Sequence, residues 1–144
     1  MFNKPLLLLY EGISGSGKTS LSKTVQKELG YGVLSIDRFT PSIWVYSKYR
    51  GEEILELNRI AERNLELNFD VRVIWCECEI SIANQRCLDK NQIEKSGIDK
   101  LTQQAFLFQD YFKNYSFFSK ILQMDTSLED IKETVKKVVN YLDE

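Results

Sequence analysis

The stretch YEGISGSGKTS, residues 10–20, sets three glycines, a lysine and a threonine at spacings that matter chemically. Gly12, Gly17, Lys18 and Thr19 match G-x-x-x-x-G-K-[ST] with no mismatch. Gly12, Gly15 and Gly17 let a backbone wrap around an anion, with Ser14 and Ser16 inside the same wrap. Main-chain N–H groups and the start of a following helix then supply the donors. Lys18 is suited to neutralise β- and γ-phosphates and Thr19 to ligate Mg²⁺, with Ser20 one residue further on. The chemistry implied is the holding of a nucleoside triphosphate, ATP with Mg²⁺.

Such a loop works only between a strand and a helix, and both are legible. PLLLLYEG is the continuous apolar run of a strand buried on both faces. KTSLSKTVQKELG has Leu21, Val25 and Leu29 four apart before Gly30. YGVLSID reads as a second strand, followed by a segment containing Pro41. EEILELNRIAERNLEL places Ile54, Leu57, Ile60, Ala61 and Leu65 on one helical face, and DVRVIWCECE reads as a third strand. ANQRCLDK is helical, the pattern breaks at NQIEKSGID, and LTQQAFLFQDYFKNY resumes it. SKILQMD is a fourth strand. SLEDIKETVKKVVNYL closes as an amphipathic helix, with Ser127 expected as N-cap and Glu129 and Asp130 in the first turn. Strands alternating with helices require crossover connections. The expected fold is therefore α/β, a three-layer sandwich with a parallel sheet of about four strands, order 2-1-3-4, and helices on both faces.

At the carboxyl end of the second strand, where an open α/β sheet places ligand-contacting groups, stands IDRFTPSIWVYSKYRG. Asp37 and Arg38 therefore stand where ligand contacts are made. Phe39, Trp44, Tyr46 and Tyr49 could stack on a flat base, although core packing accounts for the same spacing.

Together these segments resemble the thymidylate kinases and the related deoxynucleoside kinases. The family's E-G-x-x-G-S-G-K-[ST] loop and its D-R-[YF]-x-x-S-x-x-[AV]-Y segment are matched here by Glu11 to Thr19 and by Asp37, Arg38, Phe39, Ser42 and Tyr46. VRVIWCECEISIANQR resembles the strand that leads into the family's lid helix, and LQMDTSLEDI its adenine-side loop, which brings in Thr126. The resemblance implies a P-loop kinase with Lys18, Asp37, Arg38, Arg86 and Glu11 at the chemistry. It implies Arg38, Phe39, Ser42 and Tyr46 on the acceptor, and Thr19 and Asp37 at Mg²⁺, partly through water. Arg86 would reach over the transferring phosphoryl group from a lid spanning residues 86–97. The chain departs from the pattern in three places. Only Gly30 to Ser35 stands where the family has its R-E-P-G region, Ser14 replaces an acidic loop residue, and Lys90 replaces a second lid arginine.

Composition narrows the partners. The 144 residues are 43% apolar and 28% charged with a net charge of −2, which suits one domain and gives no basic field for a duplex. Nucleic acid is therefore disfavoured as a partner. Cys76, Cys78 and Cys87 are an odd number in a chain without histidine, which points to no disulfide framework and no Cys/His zinc site. The Leu6–Leu9 run is too short for a signal core or a membrane span, so a cytoplasmic protein is expected. The expected activity is phosphoryl transfer from ATP to a nucleoside monophosphate or nucleoside. A polynucleotide 5′-kinase and an ATP-binding regulatory relative are the alternatives, and a homodimer stays open.

Overall fold

Leu6–Glu11 is an apolar run whose backbone needs partners on both sides. In the computed structural model it is strand β1, flanked on both edges. The structure describes residues 4–29, 35–36, 40–127 and 130–143. β1 pairs in parallel with β2 (Ser35–Ile36) and with β3 (Asp70–Glu77), and β3 pairs in parallel with β4 (Ile121–Asp125). The order is β2-β1-β3-β4. Three of these are full strands. β2 is a two-residue edge segment joined through Leu8↔Ser35 and Leu9↔Ile36, so the expected order is kept by three full strands and one short edge.

Side chains alternating along β1 and β3 divide the core between two helical layers. Leu8, Tyr10, Ile74 and Cys76 pack with Leu21 and Val25 of α1 (Lys18–Leu29) and with Val135 and Val138 of α6 (Ile131–Leu142). Leu7, Leu9, Val71 and Val73 face the other side, against Phe118, Leu65 and Phe112. That second layer is built from α2 (Thr40–Tyr49), α3 (Leu55–Asn68), α4 (Ile80–Asp89) and α5 (Ile98–Asn114), with a 3₁₀ turn at Ile93–Lys95. Each fully buried aliphatic side chain stabilises this arrangement by about 1.5–3 kcal/mol. Pro41 is the second residue of α2, where a missing N–H costs no helical bond.

The periodicity of α3 gives the buried face only in part: Ile54 and Leu65 pack against the core as expected. Leu57 and Ile60, expected in the core, are 69% and 55% exposed, while Glu62 is completely buried. The cause is tertiary hydrogen bonding. Glu62 accepts from the Tyr111 hydroxyl, from Ser116 Oγ at 3.2 and 3.3 Å, and from the Phe117 N–H at 2.7 Å. Arg59 and Arg63 lie over the Phe117 ring, 4.1 and 5.0 Å from its centre. A carboxylate with several donors outweighs two exposed aliphatics, so the helix turns Glu62 inward.

The cap of α6 also differs from expectation. Asp130 is the N-cap, accepting from the Lys132 N–H at 3.3 Å. Ser127 Oγ is engaged elsewhere, accepting from the Glu79 N–H at 2.8 Å at the start of α4, and Glu129 lies outside the described residues. Among the described residues no helix is long and apolar enough to cross a membrane.

Candidate active site

The loop after β1 takes its shape from three glycines in backbone conformations that other residues avoid. Gly12, Gly15 and Gly17 have φ of 148°, 80° and 86°. At two of them space is also short. A Cβ on Gly12 would lie 2.3 Å from the Cys76 carbonyl oxygen, and one on Gly15 would lie 2.2 Å from that of Ala83. The loop thus lies directly against the end of β3 and against α4. The Gly17 carbonyl accepts from the Leu21 N–H at 3.0 Å and so opens α1, with Lys18 as its first residue. Lys18 Nζ donates to the Gly12 carbonyl, bending the lysine back along its own loop. Ser16 is buried within this wrap, while Thr19 and Ser20 are exposed.

A second group of contacts clamps the loop from outside. Thr126, just past β4, donates from Oγ1 to the Ser16 carbonyl at 2.7 Å, and its N–H binds the Glu77 carbonyl at 2.8 Å. Arg86 of α4 donates to the carbonyls of Gly15 at 3.2 Å and Thr126 at 2.8 Å. Its guanidinium also lies 3.4 Å from Cys78 Sγ and 3.5 Å from Thr126 Oγ1. The fork geometry of arginine matches several acceptors around one loop, which an ammonium could not do.

Glu11, expected at the chemistry, and Ser42, expected on the acceptor, are buried together. Ser42 Oγ donates to Glu11 Oε2, tying α2 to the end of β1. Asp37, Arg38 and Phe39 lie outside the described residues.

Burial pushes the nearby Cys76 thiol up to about 12, with Lys18 opposing the shift and Glu11 adding to it. The Tyr10 phenol is likewise raised, by burial and then by Cys76. The unfolded thiol ionises near 9, so stability contributed by the folded, protonated thiol is intact below pH 9 and is lost as pH rises toward 12. Cys76→Ala is expected to flatten the decline of unfolding free energy across that window, by up to roughly 4 kcal/mol at its upper end. Denaturant titrations of both proteins between pH 8 and 11 check this, and parallel curves would refute it.

Three adjoining cavities surround the loop. One of about 290 Å³ is lined by Gly17, Ser20, Leu21, Arg86, Thr126 and Ile131. The second, about 120 Å³, is the mouth of the loop itself, lined by residues 14–19 together with Tyr46, Lys90, Gln92 and Lys95. The third, about 330 Å³, lies between α2 and α5 and is lined by Tyr46, Tyr49, Arg50, Lys95, Lys100 and Gln104. Gly17 and Lys90 border both the first and the second cavity, and Ser14, Tyr46 and Lys95 border both the second and the third. The result is a continuous track with Lys18 at its centre. Of the residues expected on an acceptor, Tyr46 stands on this track. Arg50, Lys95, Lys100 and Gln104 are additions that the sequence did not single out. The nearest signal for Gln104 was an amide at a core position of the helical stripe Leu101, Gln104, Phe108 and Tyr111.

No protein-family model matches the sequence, and no curated protein matches it significantly. Solved structures do match its fold. The YorR protein of Bacillus subtilis, solved in complex with phosphorylated GDP, is 20% identical with a TM-score of 0.75 over 95% of both chains. Deoxyadenosine kinase from M. mycoides, solved with the products dCMP and dCDP, is 14% identical with a TM-score of 0.69 over 94% of this chain and 97% of that one. A gluconokinase from Sinorhizobium meliloti is 16% identical with a TM-score of 0.61, over 99% and 94%. The fold of this chain, a parallel sheet carrying a glycine loop between its first strand and helix, is the P-loop kinase fold shared with these structures.

Proposed function

We propose that the protein transfers the γ-phosphoryl group of ATP to a nucleoside monophosphate or nucleoside, as one domain spanning residues 1–144. The observation that carries this reading is the continuous track. A base-sized cavity, a phosphate-binding mouth and a second base-sized cavity adjoin in the order that donor base, transferred group and acceptor require. In this reading Gly12 to Ser20 hold the triphosphate, and Arg86 and Thr126 frame the base side of the donor. Lys18 and Lys95 stand where charge develops on the transferring group. Arg50, Lys95 and Lys100 line the acceptor cavity, which favours an acceptor that already carries phosphate. Glu11 acts as a positioning residue, holding α2 and hence Tyr46 through Ser42. Asp37 and Arg38 keep their proposed places on the acceptor side and at metal-bound water.

Of the two residues proposed for Mg²⁺, Thr19 lies among the described residues and is suited to the ion. Thr19 supplies a hard hydroxyl oxygen at the edge of the mouth cavity, the ligand type that shares Mg²⁺ with substrate phosphates and water. Bound there, the ion would neutralise charge on the β- and γ-oxygens. Residues 90–97 supply Lys90, Gln92 and Lys95 to the mouth and are held in place partly by Asn84 Oδ1, which accepts from the Gly97 N–H at 2.7 Å. They form most of the proposed lid, residues 86–97.

The test is a screen of nucleosides, their monophosphates and a 5′-hydroxyl oligonucleotide with ATP and Mg²⁺, followed by detection of the phosphorylated acceptor. Turnover on a monophosphate or nucleoside supports the reading, and turnover confined to the oligonucleotide overturns it. Arg86→Lys is expected to lower stability by about 1–3 kcal/mol and to raise the ATP KM. A fall in kcat alone, with unchanged melting temperature and ATP KM, would return Arg86 to the transferring group.

A further inference from the structure

We propose that Gln104 reads the hydrogen-bonding edge of a flat, nitrogen-containing base, so that the acceptor of this protein is recognised by its base as well as by its phosphate. The assignment of the cavity to the acceptor rests on the phosphoryl-transfer reading above.

Gln104 occupies one step of the stripe that α5 turns inward, between Leu101 and Phe108, which are both fully packed. Its own exposure is 4%, yet its amide makes no hydrogen bond with any described residue. The amide atoms are not sealed off like a buried polar group without a partner, and an apolar side chain at this place would offer the adjoining space no hydrogen-bonding capacity. The amide lines the α2–α5 cavity, so that cavity is where its donors and acceptor can be satisfied.

The walls suit a planar ring. Tyr46 and Tyr49, three apart on α2, both line the cavity, and Tyr46 is braced edge-on by Phe108, with ring centres 6.3 Å apart and planes at 89°. The cavity, about 330 Å³, is at the small end of the range for small-molecule sites. A primary amide offers a donor and an acceptor side by side in one plane, which complements the paired acceptor and donor on the edge of a nucleobase. Sugars and sugar acids have no planar edge that sets a donor beside an acceptor in this way. Arg50, Lys95 and Lys100 contribute the charge for the phosphate that such an acceptor carries.

The experiment measures binding by calorimetry, without ATP, of the common nucleoside monophosphates and of base-free deoxyribose 5-phosphate. It compares the wild type with Gln104→Leu and Gln104→Glu, and thermal unfolding establishes that each variant is folded. At least one base-bearing ligand is expected to bind at least about tenfold more tightly than the base-free sugar phosphate. Gln104→Leu should remove about ten- to a hundredfold of that affinity and leave the sugar phosphate unaffected. Gln104→Glu, which only accepts, should change the order of preference among bases. Affinities that ignore Gln104, a sugar phosphate bound as tightly as any nucleotide, or no binding of a base-bearing ligand would each overturn the proposal. The two readings fail separately. Gln104-dependent base binding without any phosphoryl transfer would refute the kinase assignment and retain the base site. Transfer that is indifferent to Gln104 for every base would do the reverse.

Discussion

Lys18→Ala is expected to reduce phosphoryl transfer by at least about a thousandfold while the protein remains folded. The ammonium lies in a loop of main-chain donors at the centre of the cavity track, where it faces charge that grows during transfer. Its structural contribution is small by comparison. The hydrogen bond from Nζ to the Gly12 carbonyl contributes about 1 kcal/mol. Melting temperature and far-ultraviolet dichroism should therefore stay close to those of the wild type. Retention of more than a tenth of wild-type turnover in a folded variant would remove Lys18 from the chemistry. Lys18→Arg should also be poor, because the guanidinium is too broad for a loop closed this tightly.

The second large effect is structural. Gly15→Ala is expected to cost about 3 kcal/mol or more, seen as a drop of roughly 10 °C in melting temperature, together with loss of ATP binding. Two causes add. The residue has φ of 80°, which an L-side chain adopts only with strain, and the new methyl carbon would meet the Ala83 carbonyl oxygen at 2.2 Å. Ala83 is itself fully buried in the cluster of Ile13, Trp75 and Leu101, so α4 cannot simply retreat. The loop must move instead, and with it the Gly15 carbonyl that Arg86 holds. Gly17→Ala is the control, since it shares the positive φ while its methyl would approach nothing closer than 3.7 Å. That variant should lose only about 1 kcal/mol. Equal stability of the two would show that the contact between loop and α4 carries none of the effect.

The features legible along the chain are local. Gly12, Gly17, Lys18 and Thr19 specify the phosphate loop because its chemistry depends on backbone conformation and on residues adjacent in the chain. The apolar run of β1 and the four-residue spacing of Leu21 and Val25 specify what flanks it, because both periods are intrinsic to strand and helix. The strand order is legible too, since parallel strands with helical crossovers admit few arrangements.

Long-range contacts set the exact face that α3 buries, because the donors that draw Glu62 inward come from Tyr111, Ser116 and Phe117, about fifty positions further along the chain. The tertiary structure likewise decided that Glu11 and Ser42 face each other under the loop, that Arg86 holds the Gly15 and Thr126 carbonyls, and that Asp130 in place of Ser127 caps α6. The acceptor cavity belongs to the same class. Tyr46, Lys95 and Gln104 come from a helix, a 3₁₀ turn and a second helix, and carry no shared spacing in the chain. Residues that meet only because packing brings distant elements together leave no periodic trace, whereas a loop that must bend around a phosphate writes its requirement into consecutive residues.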